Sequence, residues 1–255
     1  MPVQKHMLDL DFELNHGLVA ERSTGLERIA YRFLPRSTWL TLKYETKLFF
    51  LRIAGNRVAS RLKNSEDLLV NIGAGSKGRK GWVNIDAFHL PGITLACDAR
   101  RRLPLPDGCA KIIYCEHFLE HIDYTEDIPQ FLAECKRVLK AAGILRIIVP
   151  DGEKYLRAYA SPGWEEITKV GALTQTHRDP HYDCNYNTKM ELVNMVFRQG
   201  GQHKYCYDYD TLERLLHTYG FSRVHRESFN QSAFPEACID SPEYSSESLY
   251  VEATN

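Results

Sequence analysis

The chain has 255 residues, 44% of them hydrophobic and 25% charged, and its 33 acidic residues nearly balance 32 basic ones for a formal net charge of −1. That length can bury a real core in one large domain or in one domain with an appendage, and the near-neutral balance offers no electrostatic case for nucleic acid as the main partner. Seven scattered cysteines without a C-x-x-C pair suggest reduced thiols and a cytoplasmic address, and no stretch reads as a signal peptide or a transmembrane segment.

Residues 1–65 are expected to form a helical extension. From Ser37 the segment STWLTLKYETKLFFLRIAGNRVASRLK places Leu40, Tyr44, Leu48, Leu51 and Val58 near one stripe. Such a helix packs on the main domain or on a second copy, which makes a homodimer through it one expectation. The basic residues Lys43, Lys47, Arg52, Arg57, Arg61 and Lys63 leave a membrane-surface helix as a second reading, and a lid over a ligand is a third.

From residue 66 to 255 strand-like and helix-like segments alternate, which predicts an α/β domain with a mainly parallel sheet. Strands are expected near 68–72, 82–86, 93–97, 110–115, 144–149, 222–229 and 248–253. Between the fourth and fifth, DIPQFLAECKRVLKAAG puts Ile128, Phe131, Leu132, Cys135, Val138 and Leu139 on one face. Pro129 suits the first turn, and Gly143 is expected to supply a left-handed stop. A second helix, DYDTLERLLHTYGF, is expected to start at a cap on Asp210 and stop at Gly220. Residues 151–205 are too long for a plain connection and read as a substrate-side insertion.

The segment LLVNIGAGSKGRKGWVNIDAF carries Gly73, Gly75 and Gly78 in the pattern G-x-G-x-x-G. In a dinucleotide fingerprint the acidic residue that follows lies about 20 positions on, beyond a helix facing the pyrophosphate. Here Asp86 comes 13 positions after Gly73, and SKGRKGW leaves no room for that helix. The spacing argues against a nicotinamide dehydrogenase, although a glycine turn still lets backbone N–H groups approach a nucleotide-like ligand.

Downstream, LACDARRRLPLPDGCAKIIYCEHFLEHI, FLAECKRVLKAAGILRIIVPD and GGQHKYCYDYDTLERLLHTYGF follow in order. In these segments the chain resembles the class I S-adenosylmethionine-dependent methyltransferases, in the small-molecule branch with a methyltransferase 11-like domain. The resemblance covers about 66–152 and resumes at 200–221. It implies a Rossmann-like, mainly parallel seven-stranded sheet flanked by helices and S-adenosyl-L-methionine as cofactor. It places Gly73 and Gly75 under the methionine moiety, Asp86 on the ribose hydroxyls and Asp98 at the adenine amino group. Cys115, Glu116 and His117 border the cofactor, with Asn71, Ala74 and Ala99 completing the set.

Methyl transfer from a sulfonium asks the protein mainly to position the acceptor and to remove its proton where required. Histidine is the natural base near neutral pH, so His203, then His177 and His181, are candidates, with Asp151 after the fifth strand as another. HFLEH, residues 117–121, matches H-x-x-E-H, but no third ligand is visible nearby. Glu120 and His121 are expected to begin a helix. His177, His181, Cys184, His203 and Cys206 form a second donor-rich grouping, read as a polar lid, and no metal is expected. The YCEH end of the fourth strand lacks the N/D-P-P-Y of amino-directed nucleic-acid methyltransferases. Together with the Tyr- and His-rich insertion, it points to O- or N-methylation of a polar small molecule such as a sugar or a natural product. A catalytically silent cofactor-binding partner, and a fold relative that uses the cofactor for another reaction, stay open.

Overall fold

A computed structural model of the protein describes residues 32–54, 62–180, 182 and 184–255. The chain divides into two units, Met1–Ile53 and Ala54–Asn255. In the first, helix α1 spans Arg36–Ala54. Its anticipated stripe is only partly realised, because Leu48 and Leu51 are buried while Tyr44 is exposed. The side chain of Leu40 and all of Val58 lie outside the described residues. Among the described residues no helix is long and apolar enough to cross a membrane.

The second unit is built on seven strands in the order β3-β2-β1-β4-β5-β9-β8. They are β1 Leu68–Ile72, β2 Val83–Asp86, β3 Leu95–Ala96, β4 Ala110–Glu116 and β5 Leu139–Pro150. The last two in the sheet are β8 Ser222–Glu227 and β9 Ser248–Thr254. The first five run parallel, and β9 pairs antiparallel with both β5 and β8. Continuous apolar runs such as Ile112–Cys115 and Ile147–Val149 suit strands buried on both faces. The α/β, Rossmann-like sheet expected from the sequence is therefore present.

Helix α2, Ile128–Val138, covers one face of the sheet through Ile128, Phe131, Leu132, Cys135 and Val138. It ends five residues before Gly143, because Leu139 already turns extended and pairs with Ala110. Gly143 is needed for a different reason: a Cβ there would meet the Lys111 and Lys140 carbonyl oxygens at 3.0 Å. The left-handed residue is instead Ala142, at φ 60°.

The insertion folds as α3 Gly152–Ala160, α4 Glu165–Val170, a short hairpin of β6 Arg178–Asp179 and β7 Cys184–Asn185, and α5 Lys189–Arg198. It has a small core of its own around Tyr155, Ile167, Leu192 and Val196. Thr188 and Glu191 form a reciprocal capping box on α5. Helix α6, Tyr209–Thr218, is capped by Asp208, whose carboxylate accepts from Thr211 N at 2.9 Å, and not by Asp210. Gly220 stops it at φ 83° as expected.

Candidate active site

Strand order reverses at β1, which has β2 on one side and β4 on the other. At such a switch point the connections leave in opposite directions and open a crevice beyond the carboxyl ends of the strands. Four expected residues lie at those ends: Gly73 after β1, Asp86 at the end of β2, Asp98 just after β3 and Glu116 at the end of β4.

The glycine turn is tightly specified. Gly73 N and Ala74 N both donate to the Ile85 carbonyl, and Gly75 N donates to Asp86 Oδ2 at 2.9 Å. Asp86 Oδ1 accepts from Phe88 N at 2.8 Å, so the carboxylate is held by its own loop with lone pairs to spare. Gly73 has φ +71° and Gly75 φ +51°; a Cβ on Gly75 would meet nothing within 4 Å. Gly78 serves packing: a Cβ there would be 2.7 Å from the Gly92 carbonyl oxygen. No helix intervenes between β1 and β2, as the short spacing requires.

Asn71 is buried, and its Nδ2 donates to Asn84 Oδ1 across the sheet. Asn84 in turn ties down the Arg79–Trp82 turn. Asn71 thus supports the loop behind the crevice. Asp98 is buried beside Ala99 and receives the Arg100 guanidinium on both oxygens, at 3.0 and 3.2 Å. Cys115 is fully buried; burial, with Cys135 and Glu120 adding, pushes its thiol well up, so it stays protonated.

Beyond β4 the polar groups crowd together. Glu116 accepts from Ser241 N at 2.8 Å and Ser241 Oγ at 2.6 Å. His117 adopts φ 49°, a strained value for a residue with a side chain. Its Nε2 meets Ser248 Oγ at 2.9 Å, its Nδ1 lies 3.2 Å from Glu120 Oε1, and its ring lies against Tyr244. Burial works against a charge on His117, but the carboxylates of Glu120, Glu247 and Glu116 outweigh it and hold the pKa above the usual histidine value. Glu120 and His121 begin no α-helix. They close a 3-10 turn, Leu119–His121, well before α2.

His203 is brought against this turn from the far end of the insertion. Lys204 N donates to the Glu120 carbonyl at 2.6 Å, and the His203 and His121 rings meet edge to face at 4.8 Å. Burial holds both below the usual histidine pKa, His121 down to about 4, so both are neutral at pH 7. The other candidates go elsewhere. His177 stacks on Trp164 at 3.7 Å. Asp151 caps α3, accepting from Glu153 N and Lys154 N. His181 lies outside the described residues.

Residues 78–147 match the family model for a methyltransferase domain. That match, together with the mainly parallel seven-stranded sheet, supports a class I S-adenosylmethionine-dependent methyltransferase. The cofactor that such a domain implies is S-adenosylmethionine. No curated protein matches the chain. Solved structures similar to it include an S-adenosylmethionine-dependent methyltransferase from Archaeoglobus fulgidus, at 17% identity and TM-score 0.43, covering 83% of this chain and 94% of that one. A possible histamine N-methyltransferase from Thermotoga maritima has 15% identity and TM-score 0.44, covering 84% of this chain and 95% of that one. The 1,6-didemethyltoxoflavin-N1-methyltransferase of Burkholderia thailandensis, solved with 1,6-didemethyltoxoflavin and S-adenosylhomocysteine, has 14% identity, TM-score 0.42 and 91% coverage of each chain.

The crevice also has a wall that sequence reasoning missed, the connection between β8 and β9. Lys77 donates to Ser241 Oγ at 2.7 Å, pairs with Glu243 at 2.8 Å and lies over the Tyr244 ring. Arg79 donates to the Ile239 carbonyl at 2.7 Å. The available signal was length: SFNQSAFPEACIDSPEYSSE is far longer than a hairpin turn needs.

Proposed function

We propose that this enzyme transfers the methyl group of S-adenosylmethionine to a polar small molecule. The observation that carries the reading is the Gly73–Gly75 turn, with open space at Gly75 and its N–H on Asp86, set at the switch point of the sheet. On this reading the turn backs the methionine moiety, Asp86 receives the ribose hydroxyls, and Asp98 with Ala99 borders the adenine. The cofactor supplies a methyl group already activated on a sulfonium. The protein's contribution is then to orient the acceptor and handle its proton.

The acceptor would approach from the side of His117, His121 and His203, under Tyr244 and next to the insertion. Hydroxyl or amine groups set among neutral imidazoles, carboxylates and tyrosines suit a polar acceptor better than an apolar one. Asp86→Ala is expected to weaken S-adenosylhomocysteine binding in a calorimetric titration by about tenfold or more, the loss expected for hydrogen bonds to a charged group. Unchanged affinity would overturn the ribose assignment. Turnover is then sought with a panel of sugars, phenols and amines. Binding without turnover on any of them would favour a silent cofactor-binding protein.

A further inference from the structure

Among the described residues, Glu120, His121 and His203 each present a ligand-capable atom, and these atoms lie within 4.8 Å of one another. Glu120 is 1% exposed; its Oε1 faces His117 Nδ1 at 3.2 Å, and among the described residues Oε2 has no hydrogen-bond partner. Burying a carboxylate oxygen with its lone pairs unserved is costly. Such a group calls for a cation or a trapped water.

One of the two imidazoles has a ring nitrogen already fixed by a backbone carbonyl. His203 Nδ1 donates to the Val196 carbonyl, which leaves Nε2 as a lone pair. A ligand histidine ordinarily has its second nitrogen fixed in this way by a carbonyl or carboxylate. The H-x-x-E-H pair is not the ligand set, because His117 has one nitrogen on Ser248 and the other facing Glu120.

We propose that Glu120, His121 and His203 bind one divalent transition-metal ion, Zn²⁺ in the first instance. Two imidazoles and a carboxylate suit zinc or a neighbouring transition metal, whereas Mg²⁺ and Ca²⁺ favour all-oxygen sets. Around a tetrahedral ion, ligand atoms at about 2.0–2.2 Å from the metal stand roughly 3.4 Å from one another, so atoms that lie within 4.8 Å of one another need only a small approach. Three protein ligands leave a coordination position open, as in catalytic zinc sites. An oxygen of the methyl acceptor is the group that would take it, and His203 then serves as a ligand and not as a free base. That last assignment rests on the methyl-transfer reading; the metal site itself does not.

The test uses the full chain freed of metal with a chelator and without cofactor. Zn²⁺ is titrated by calorimetry and Co²⁺ by visible absorption. One equivalent is expected to bind, with the Co²⁺ bands of a low-coordinate nitrogen–oxygen site. Glu120→Gln and His203→Gln are each expected to weaken binding at least about 100-fold, beyond the 10- to 100-fold typical of losing an outer-shell partner. Should either variant fail to fold, the wild-type Co²⁺ spectrum still decides. An octahedral aquo-like spectrum, or thiolate charge-transfer bands from the cysteines, would overturn the proposal. So would the absence of stoichiometric binding, or binding that both folded variants retain, either of which would leave Glu120 to a buried water. S-adenosylhomocysteine titration in parallel reads the cofactor site separately, so either proposal can fail alone.

Discussion

Gly73 combines two demands that only glycine meets. Its φ of +71° is left-handed, and a Cβ there would stand 2.8 Å from the Cβ of Phe118, whose ring packs on Phe131. The conformational cost of a side chain in that region is about 1–2 kcal/mol, before the clash is counted. Gly73→Ala is therefore expected to lower the thermal midpoint and to weaken S-adenosylhomocysteine binding, read by calorimetry in both cases. Normal affinity in the folded variant would mean that the turn does not back the cofactor. The glycine cluster and Asp86 were legible as a string of letters, because both belong to one short strand–turn–strand. The reason for Gly78 was not, since its partner Gly92 lies beyond β2 and meets it only once the chain has turned back after that strand.

At the scale of elements, α2 shows what binds a helix to the loop before its strand. Glu134 accepts from Leu103 N at 2.9 Å and from Arg137 at 2.6 and 2.9 Å. Arg137 also donates to the Leu103 and Leu105 carbonyls and to Asp107. Burial raises the Glu134 pKa, but the Arg137 pair and the Leu103 N–H outweigh it, leaving it below the ordinary 4.5. On acidification the unfolded chain takes up that proton first. The carboxylate's contribution is thus complete above about pH 4.5 and drains as pH falls through the folded value. Glu134→Gln is expected to cost about 1.5–3 kcal/mol at pH 7 in urea unfolding, with the deficit shrinking below pH 4.5. A deficit constant from pH 7 to 3 would show that the charge contributes nothing. The early end of α2 at Val138 was hidden from periodicity, because Val138 and Leu139 are apolar in either conformation. Pairing with β4 decided between helix and strand.

Across the whole second unit, the β8–β9 connection joins the sheet's second face to the crevice. Phe229, Phe234, Ala237 and Ile239 cover Ile112, Tyr114, Ile144 and Ile148. Beneath them Arg146 is fully buried, bonded to Asp240 at 2.5 and 3.0 Å and to Glu252 at 2.7 Å. The residue after Asp240 is Ser241, which holds Glu116 at the crevice. Removing one partner of a buried ion pair strands the other, at a cost of about 3–5 kcal/mol. Asp240→Ala is expected to lose that much stability in urea unfolding; a loss below about 1 kcal/mol would mean that water reaches Arg146.

The amino-acid sequence by itself determined the strand order along the chain, the short glycine crossover, the acidic strand tip and the family resemblance. Each of these is written in neighbouring residues, through apolar runs, turn chemistry and spacing. Only the tertiary structure decided which polar groups share a site. His203 and Glu120 come from segments separated by the fifth strand and the insertion, and the return of the chain past the end of β4 brings them together. Asp151 and Asn71 are the converse case, conspicuous as letters yet occupied in the fold by a helix cap and by Asn84. Whether a side chain is free to act depends on which partners satisfy it, and those partners are distant in sequence because a packed sheet brings remote strands side by side.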